Sequence, residues 1–474
     1  MKNIKSNVIA DLSMVMSSNF LTLLSSVLTG LVVPKVLGVS NYGYYKIFTL
    51  YMSYTALFHF GFIDGVLLRH GAQDYEELDK YQFRINSRFF IKFQTTLAIV
   101  LGMGSLLISN ENYSFIFLML SVYMMFTNIT SYYQFISQAT MRFKELSVRK
   151  VIQSVLTVFI VASLFILRQM SGQKDVSYKL YVALSVVVSI ILAVWYIYTY
   201  RSITFGKAYS FGSQMENLKS YFREGIYLTI AYQISTLIFT VDSQFISIIF
   251  NRKIYGMYAF AYSLVQMVLT ILNAISTVLF PHIKRQTLDE AVAFYPKAIS
   301  YIIIIVYASL LGYYPVQTII HFFLPEYVGS LEYFQILFPG VGLTCSISLV
   351  TFNYFKILNK NKLYFDLSLL VLLCSVLLNT IVYLFFRTAI SIAVASLVTL
   401  LIWRISSEAY LVKNYKVKWK KNLFYTIIMT SSFLIFVQYN IESISFICYL
   451  TFYLSITIFL YYGDLLDLYR QMKK

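Results

Sequence analysis

The sequence predicts an all-α polytopic membrane protein, with about 14 transmembrane helices in two six-helix lobes plus two C-terminal helices. Three observations carry this. Hydrophobic residues make up 58% of the 474 residues and charged residues only 12%, about half the charged share of a soluble domain. Mean hydropathy is +0.68, which leaves too little polar surface to cover a soluble fold. The apolar residues also gather in runs near the roughly 20 residues that span a bilayer. An aqueous enzyme and a disordered chain are excluded on the same grounds.

The runs fall at 11–33, 43–63, 89–109, 113–135, 151–167 and 178–200, then at 222–250, 256–280, 298–323, 331–355, 364–386, 389–412, 423–439 and 444–462. A backbone that meets no water must close its own hydrogen bonds, so each run is expected to be a helix. Pro315 lies inside the ninth run and should kink it. The first run is too long for a cleaved leader, is closely followed by a second, and shows no Ala-x-Ala site. The expected organisation is an N-terminal lobe at 1–200, a cytoplasmic linker at 201–221, a C-terminal lobe at 222–412, and two additional helices with a cytoplasmic tail at 413–474.

The net charge of +17 is distributed as membrane topology would place it. With the N-terminus in the cytoplasm, inner segments hold 29 Lys and Arg residues and outer segments 7, while Lys46 and Arg404 fall within helices. This bias follows the positive-inside rule, puts both termini in the cytoplasm, and argues against a nucleic-acid partner. Cys345, Cys374 and Cys448 lie in apolar runs, with no metal-ligand spacing. His59, His70, His282 and His321 are scattered, so neither a metal nor a cofactor is expected. The 82 Tyr and Phe residues suit interfacial aromatic belts together with a base-composition bias toward Lys, Ile, Asn, Tyr and Phe.

Six runs precede the polar stretch and eight follow it, so both halves start on the same side, as parallel repeats do. The sequence keeps a trace of repetition. Asn41-Tyr42-Gly43-Tyr44-Tyr45 opens the second run, and Ile254-Tyr255-Gly256-Met257-Tyr258 opens the eighth, 213 residues later.

At this point the chain resembles the polysaccharide-transporter branch of the multidrug/oligosaccharidyl-lipid/polysaccharide exporter superfamily. The resemblance rests on Pro34-Lys35-Val36-Leu37-Gly38, Tyr42-Gly43-Tyr44-Tyr45, Gly61-Phe62 and Arg69. It continues with Asp242, Gly256-Met257-Tyr258-Ala259-Phe260-Ala261-Tyr262, Phe280-Pro281 and Pro325-Glu326-Tyr327. Ser40-Asn41 departs from the family, which often has an acidic residue before Tyr-Gly. The resemblance implies a flippase of the bacterial cytoplasmic membrane, moving undecaprenyl-diphosphate-linked oligosaccharide repeat units for O-antigen or capsule by alternating access. It implies membrane lipid, a polymerase and glycosyltransferases as partners. It implies no bond-breaking chemistry.

Several embedded polar residues are candidates for the substrate path. Gln266, Thr270, Asn273 and Thr277 recur at i, i+4, i+7 and i+11, one face of a helix. That face suits either a polar cleft between the lobes or hydrogen bonding to neighbouring helices. Thr127, Ser131, Gln134 and Gln138 repeat the spacing in the fourth run, and Ser18, Thr22, Ser25, Ser26 and Thr29 form a polar face in the first. Asp242 is an intramembrane carboxylate, a candidate for coupling to a proton or sodium ion or for a structural pair. Arg69 suits a diphosphate headgroup or the inner basic belt, and Lys46 the other end of the path or the interface. Arg404 and Glu408 stand at i, i+4 and should neutralise one another, unless Arg404 faces the path.

The rival readings are a multidrug exporter, a lipid II flippase, and a membrane-embedded polymerase or glycosyltransferase. The visible outer loops reach only about a dozen residues and hold scattered acids, which counts against a catalytic domain. No P-loop ATPase motif is present. The charge bias predicts that Asn110→Cys or Asn440→Cys is labelled by an impermeant thiol reagent in intact cells, and that Lys80→Cys and Lys418→Cys are protected. Protection of both outer positions would overturn the topology.

Overall fold

The apolar runs are largely helical, and several of them are broken or bent inside. The computed structural model of the chain describes residues 2–70, 74–140, 142–172, 174–284, 288–358, 360–439 and 441–472, with the side chains of 2–16, 273–284, 288, 361, 465 and 467–472 outside the description. Among the described residues there is no strand. The chain divides into two units, Met1–Leu237 and Ile238–Lys474.

The first unit holds α1 (Lys2–Met52), α2 (Phe62–His70), α3 (Lys80–Ser105), α4 (Glu111–Ala139), α5 (Phe143–Ser171), α6 (Tyr178–Thr199) and the first part of α7 (Phe211–Ile249). Within α1, Gly38 takes φ 67° and ψ 166°, so α1 is two helices across a break, matching the first two runs. Side-chain caps start α3, α4 and α6. Asp79 accepts from Tyr81 N at 2.9 Å ahead of α3, and Asn110 accepts from Asn112 N at 3.1 Å ahead of α4. Helix α4 is the hub, packing on α1, α2, α3, α5 and α6.

The second run is not one continuous helix. After Met52 the chain makes a 3-10 turn at Thr55–His59. Phe60 and Gly61 then have positive φ, and Arg69 therefore sits on the separate short helix α2. The reason lies in the crossing of α2 and α7. Gly61, just ahead of α2, and Gly65, inside it, pack against Gly225 of α7. A Cβ on Gly225 would overlap the Gly61 carbonyl oxygen, and one on Gly65 would overlap the Tyr221 carbonyl oxygen. Small residues spaced four apart let helix backbones meet in this way.

The stretch expected as a linker, 201–221, is partly helical. It opens with a 3-10 turn at Arg201–Ile203, and α7 begins at Phe211. Residues between are held by two arginines of α3: Arg84 donates to Ser202 O at 2.8 Å and Lys207 O at 2.9 Å, and Arg88 to Thr204 O at 3.1 Å.

The second unit holds the rest of α7, α8 (Arg252–Lys284), α9 (Leu288–Ser309), α10 (Tyr313–Phe323), α11 (Leu331–Leu337), α12 (Gly340–Cys345), α13 (Phe352–Ile357), α14 (Asn361–Phe386), α15 (Ala389–Tyr415), α16 (Lys420–Phe436) and α17 (Glu442–Met472). The ninth run breaks as Pro315 requires. A 3-10 turn at Leu310–Gly312 separates α9 from α10, because Pro315 has no N–H for the Leu311 carbonyl and its ring crowds it. The tenth run bends by 47° between Pro325–Leu337 and Gly340–Ile357, and Ser346–Thr351 is a π-helix between α12 and α13. The two helices at 413–474 are part of this unit, since α16 and α17 pack on α9.

Among the described residues, nine helices are long and apolar enough to cross a membrane, or ten if the bent pair is one span. The first of the nine, Ser17–His59, holds two of the expected runs. Helix α16, with 17 residues, is shorter than any of the nine, and α3 and α7 are not among them. Exposed Phe159 on α5, Leu373, Leu377 and Phe385 on α14, and Phe459 on α17 form the apolar outer surface that lipid would cover. The protein is a multi-pass membrane protein. Many of its tyrosines are buried inside the chain. Tyr132, Tyr133, Tyr196, Tyr200 and Tyr221 join Phe62 and Phe90 in the buried core of the first unit.

Gly225→Ala is expected to lower stability by about 2 kcal/mol, because overpacking at backbone contact has no side chain to displace. Gly104→Ala, where a Cβ meets nothing within 4 Å, should be neutral or stabilising by up to about 1 kcal/mol. Thermal unfolding of the two purified variants in detergent distinguishes them.

Candidate functional site

In the first unit, the polar spacing on α4 has a structural counterpart. Thr127, Ser131 and Gln134 line a partly open cavity of about 320 Å³ between α1, α4, α5 and α6. Tyr45 of α1, Gln153 of α5 and Ser185 of α6 contribute to the opposite walls. Gln138, which completes the spacing, is exposed and is not part of the lining. The first-run stripe is used for packing: Ser25 Oγ donates to Ser154 O at 3.3 Å, and Ser154 Oγ to Thr22 Oγ1 at 3.2 Å.

Arg69 lies at the end of α2, against α7. It forms an ion pair with Glu224, donates to Ser220 Oγ at 2.8 Å, and stacks over the Tyr221 ring at 4.7 Å. Tyr221 is held in turn by Gln82, whose Nε2 donates to its hydroxyl at 3.0 Å, and by His70 at 2.9 Å. The guanidinium is about a third exposed, so its fork is partly used and partly open. Below it, Thr229 donates to buried Asp64, and the His59 ring stands 4.0 Å from that carboxylate. Lys46 is elsewhere, on the second segment of α1, over the rings of Tyr42 and Tyr45 at 5.3 and 5.8 Å.

In the second unit, Asp242 is buried on α7. It accepts from the Tyr258 hydroxyl and from Ser243 N at 2.6 Å, with Ser396 of α15 also bonded to it. Tyr258 is the last residue of the repeated Tyr-Gly-x-Tyr segment; its counterpart in the first unit, Tyr45, lines the cavity. Arg404 and Glu408 of α15 are fully buried and stand 3.5 Å apart. Arg404 Nη1 donates to Thr426 Oγ1 at 2.6 Å, and Tyr295 donates to Glu408 Oε1 at 3.2 Å. Tyr295 also bonds Thr351, the last residue of the π-helix, at 2.9 Å. Arg404 Nε and Nη2 and Glu408 Oε2 have no hydrogen-bond partner among the described residues. The i, i+4 spacing announced the pair; Tyr295 and Thr351, from distant parts of the chain, gave no sequence signal.

The four-residue stripe on α8 is only half described. Gln266 is partly buried, and Thr270 is exposed and donates to the Gln266 carbonyl at 2.7 Å. The side chains of Asn273 and Thr277 lie outside the described residues. Among the described residues, no three His, Cys, Asp or Glu side chains come together as metal ligands would.

Two helical units with polar and charged groups buried among apolar helices long enough to cross a bilayer define a polytopic membrane protein. The chain belongs to the family described as polysaccharide biosynthesis protein, which matches residues 8–287. Its fold is shared with a solved structure titled lipid II flippase MurJ in an inward closed conformation, at 16% identity and a TM-score of 0.67, covering 98% of this chain and 100% of that one. It is shared too with an inward-facing multidrug resistance MATE family transporter of the MOP superfamily, at 12% identity and a TM-score of 0.62, covering 90% and 98% of the two chains. A MOP superfamily transporter from Pyrococcus furiosus gives 13% identity and a TM-score of 0.50 over 90% and 94%. No curated protein matches the sequence.

Breaking the Arg404–Glu408 pair leaves one charge buried alone. Arg404→Leu or Glu408→Leu is expected to cost about 3–5 kcal/mol, and the double variant to recover most of it. Melting temperatures of the three purified proteins check this.

Proposed function

We propose that the chain is a flippase for undecaprenyl-diphosphate-linked oligosaccharide repeat units, carrying them across the bacterial cytoplasmic membrane by alternating access for surface polysaccharide such as O-antigen or capsule. The observation that carries the reading is the polysaccharide-biosynthesis family match, on a chain whose fold is shared end to end with a solved lipid II flippase. The protein breaks no bond in this reading. Both termini lie in the cytoplasm, and a polymerase and glycosyltransferases act before and after it.

Arg69 is the candidate contact for the diphosphate. A guanidinium stays charged in a low dielectric and offers several donors in a fixed plane. Its partner Glu224 holds it in place and would be displaced by, or share it with, the headgroup. Lys46, Gln266, Thr270, Asn273, Thr277 and Arg404 remain candidates for the rest of the path, the complete burial of Arg404 favouring a structural role. Asp242 is the candidate for coupling to a proton or sodium ion, since its hydroxyl partners support either charge state.

Deletion of the gene should make lipid-linked oligosaccharide accumulate on the inner leaflet and remove the surface polymer. Sensitivity to cationic dyes with intact polymer would overturn the reading in favour of drug export, and accumulated lipid II in favour of a lipid II flippase. Arg69→Ala should abolish export at normal protein level, and Arg69→Lys should retain part of it, because a point charge does not replace a bidentate fork.

A further inference from the structure

The cavity inside the first unit carries a chemical specification of its own. Of its fifteen lining residues, eleven end in a hydroxyl or an amide, and none is Asp, Glu, Lys, Arg or His. A bare charge buried there would find no opposite charge to offset its desolvation. The walls therefore disfavour a metal cation, a phosphate and a protonated drug alike.

The hydrogen-bonding capacity of the walls is also lopsided. Thr157, Ser185 and Ser189 already donate to their own helices, at 2.9, 2.8 and 2.7 Å. A hydroxyl that has donated its single hydrogen offers only lone pairs to a ligand. Thr130 is buried, and its Oγ1 has no hydrogen-bond partner among the described residues. The amides of Gln134 and Gln153 can give and receive. The complement is a molecule with several O–H donors, some acceptors and no charge. Tyr45, Tyr123 and Tyr181 add ring surface beside Met52 and Leu192, which suits a ligand with an apolar C–H face. About 320 Å³ is at the lower end of ligand pockets, and would hold roughly ten waters. It is room for one ring rather than an oligosaccharide.

We propose that this cavity is a binding site for a single uncharged sugar ring. Where the ring belongs to a lipid-linked repeat unit, the site deepens the flippase reading and rests on it for that source. The binding itself does not depend on that reading, because a free sugar has the same chemistry.

The test uses the full-length chain in detergent and radiolabelled glucose and N-acetylglucosamine as probes, with glucose 6-phosphate and glucosamine as charged competitors. At least one neutral sugar should bind saturably, and the charged analogues should compete at least tenfold more weakly. Gln134→Leu should weaken binding about tenfold, the loss of one well-made hydrogen bond. Ser189→Leu, which fills the cavity, should abolish it. Thr130→Val keeps the shape and should weaken binding even if the larger substitutions lower protein yield. Absence of saturable binding by either sugar, equal competition by the charged analogues, or unchanged binding in Gln134→Leu and Thr130→Val would overturn the site. Export of lipid-linked oligosaccharide by the same variants separates the sources. Lost binding with lost export ties the ring to the repeat unit. Lost binding with normal export leaves the flippase reading intact and assigns the site to a free sugar. Binding in a chain whose deletion leaves lipid-linked oligosaccharide unchanged upholds the site while the flippase reading fails.

Discussion

Every polar group that these helices carry into the membrane must find its partner within the chain, because the surrounding lipid offers none. That constraint explains more of the structure than apolar packing does, since lipid tails are as apolar as the side chains they replace. Ser and Thr hydroxyls turn back onto their own helices, as Ser137 does to the Tyr133 carbonyl at 3.0 Å. Tyrosines reach further. Tyr449 donates to Tyr307 O at 2.8 Å, Tyr453 to Ile304 O at 3.1 Å and Tyr262 to Phe239 O at 3.0 Å. Each fastens one helix to the backbone of another. The tyrosine excess, read from composition as an interfacial belt, is in good part this internal fastening.

Charged groups obey the same constraint in different ways. Asp242 is met by hydroxyl and amide donors, while Arg404 and Glu408 meet each other and a tyrosine. Arg69 sits where the helix ends, so it divides its donors between Glu224 and its open side. The cavity of the first unit is lined by uncharged groups, most of them polar. Both units bury formal charge, Asp64 and Arg149 in the first and Asp242, Arg404 and Glu408 in the second, and the first also keeps a hydroxyl-rich hollow.

Much of this was legible in the sequence because the bilayer imposes a simple code. Apolar length gave the helices, the missing N–H of Pro315 gave the break between α9 and α10, and i, i+4 spacing gave the Arg404–Glu408 pair. What escaped depends on pieces of chain far apart. The break at Phe60 and Gly61 follows from the approach of α7, more than 150 residues later. The π-helix at Ser346–Thr351 has an ordinary apolar sequence. The cavity needs four helices to form it, and only its α4 wall, Thr127, Ser131 and Gln134, showed as a periodic stripe. The polar stretch at 201–221 reads as a cytoplasmic linker, and nothing in it announces that Arg84 and Arg88 of another helix bond its backbone at Ser202 and Thr204.

The crossing of α2 over α7 also limits how this chain can change over generations. Where side chains pack, a sequence drifts in small steps, a methylene lost on one side and gained on the other. Gly61, Gly65 and Gly225 bring backbone against backbone, so there is nothing left to trim and no neighbour to shrink in exchange. A lineage that keeps this register keeps all three glycines. One that loses any of them must move the helix, and with it the arginine at its tip. The place of Arg69 is therefore held by three residues that carry no side chain at all.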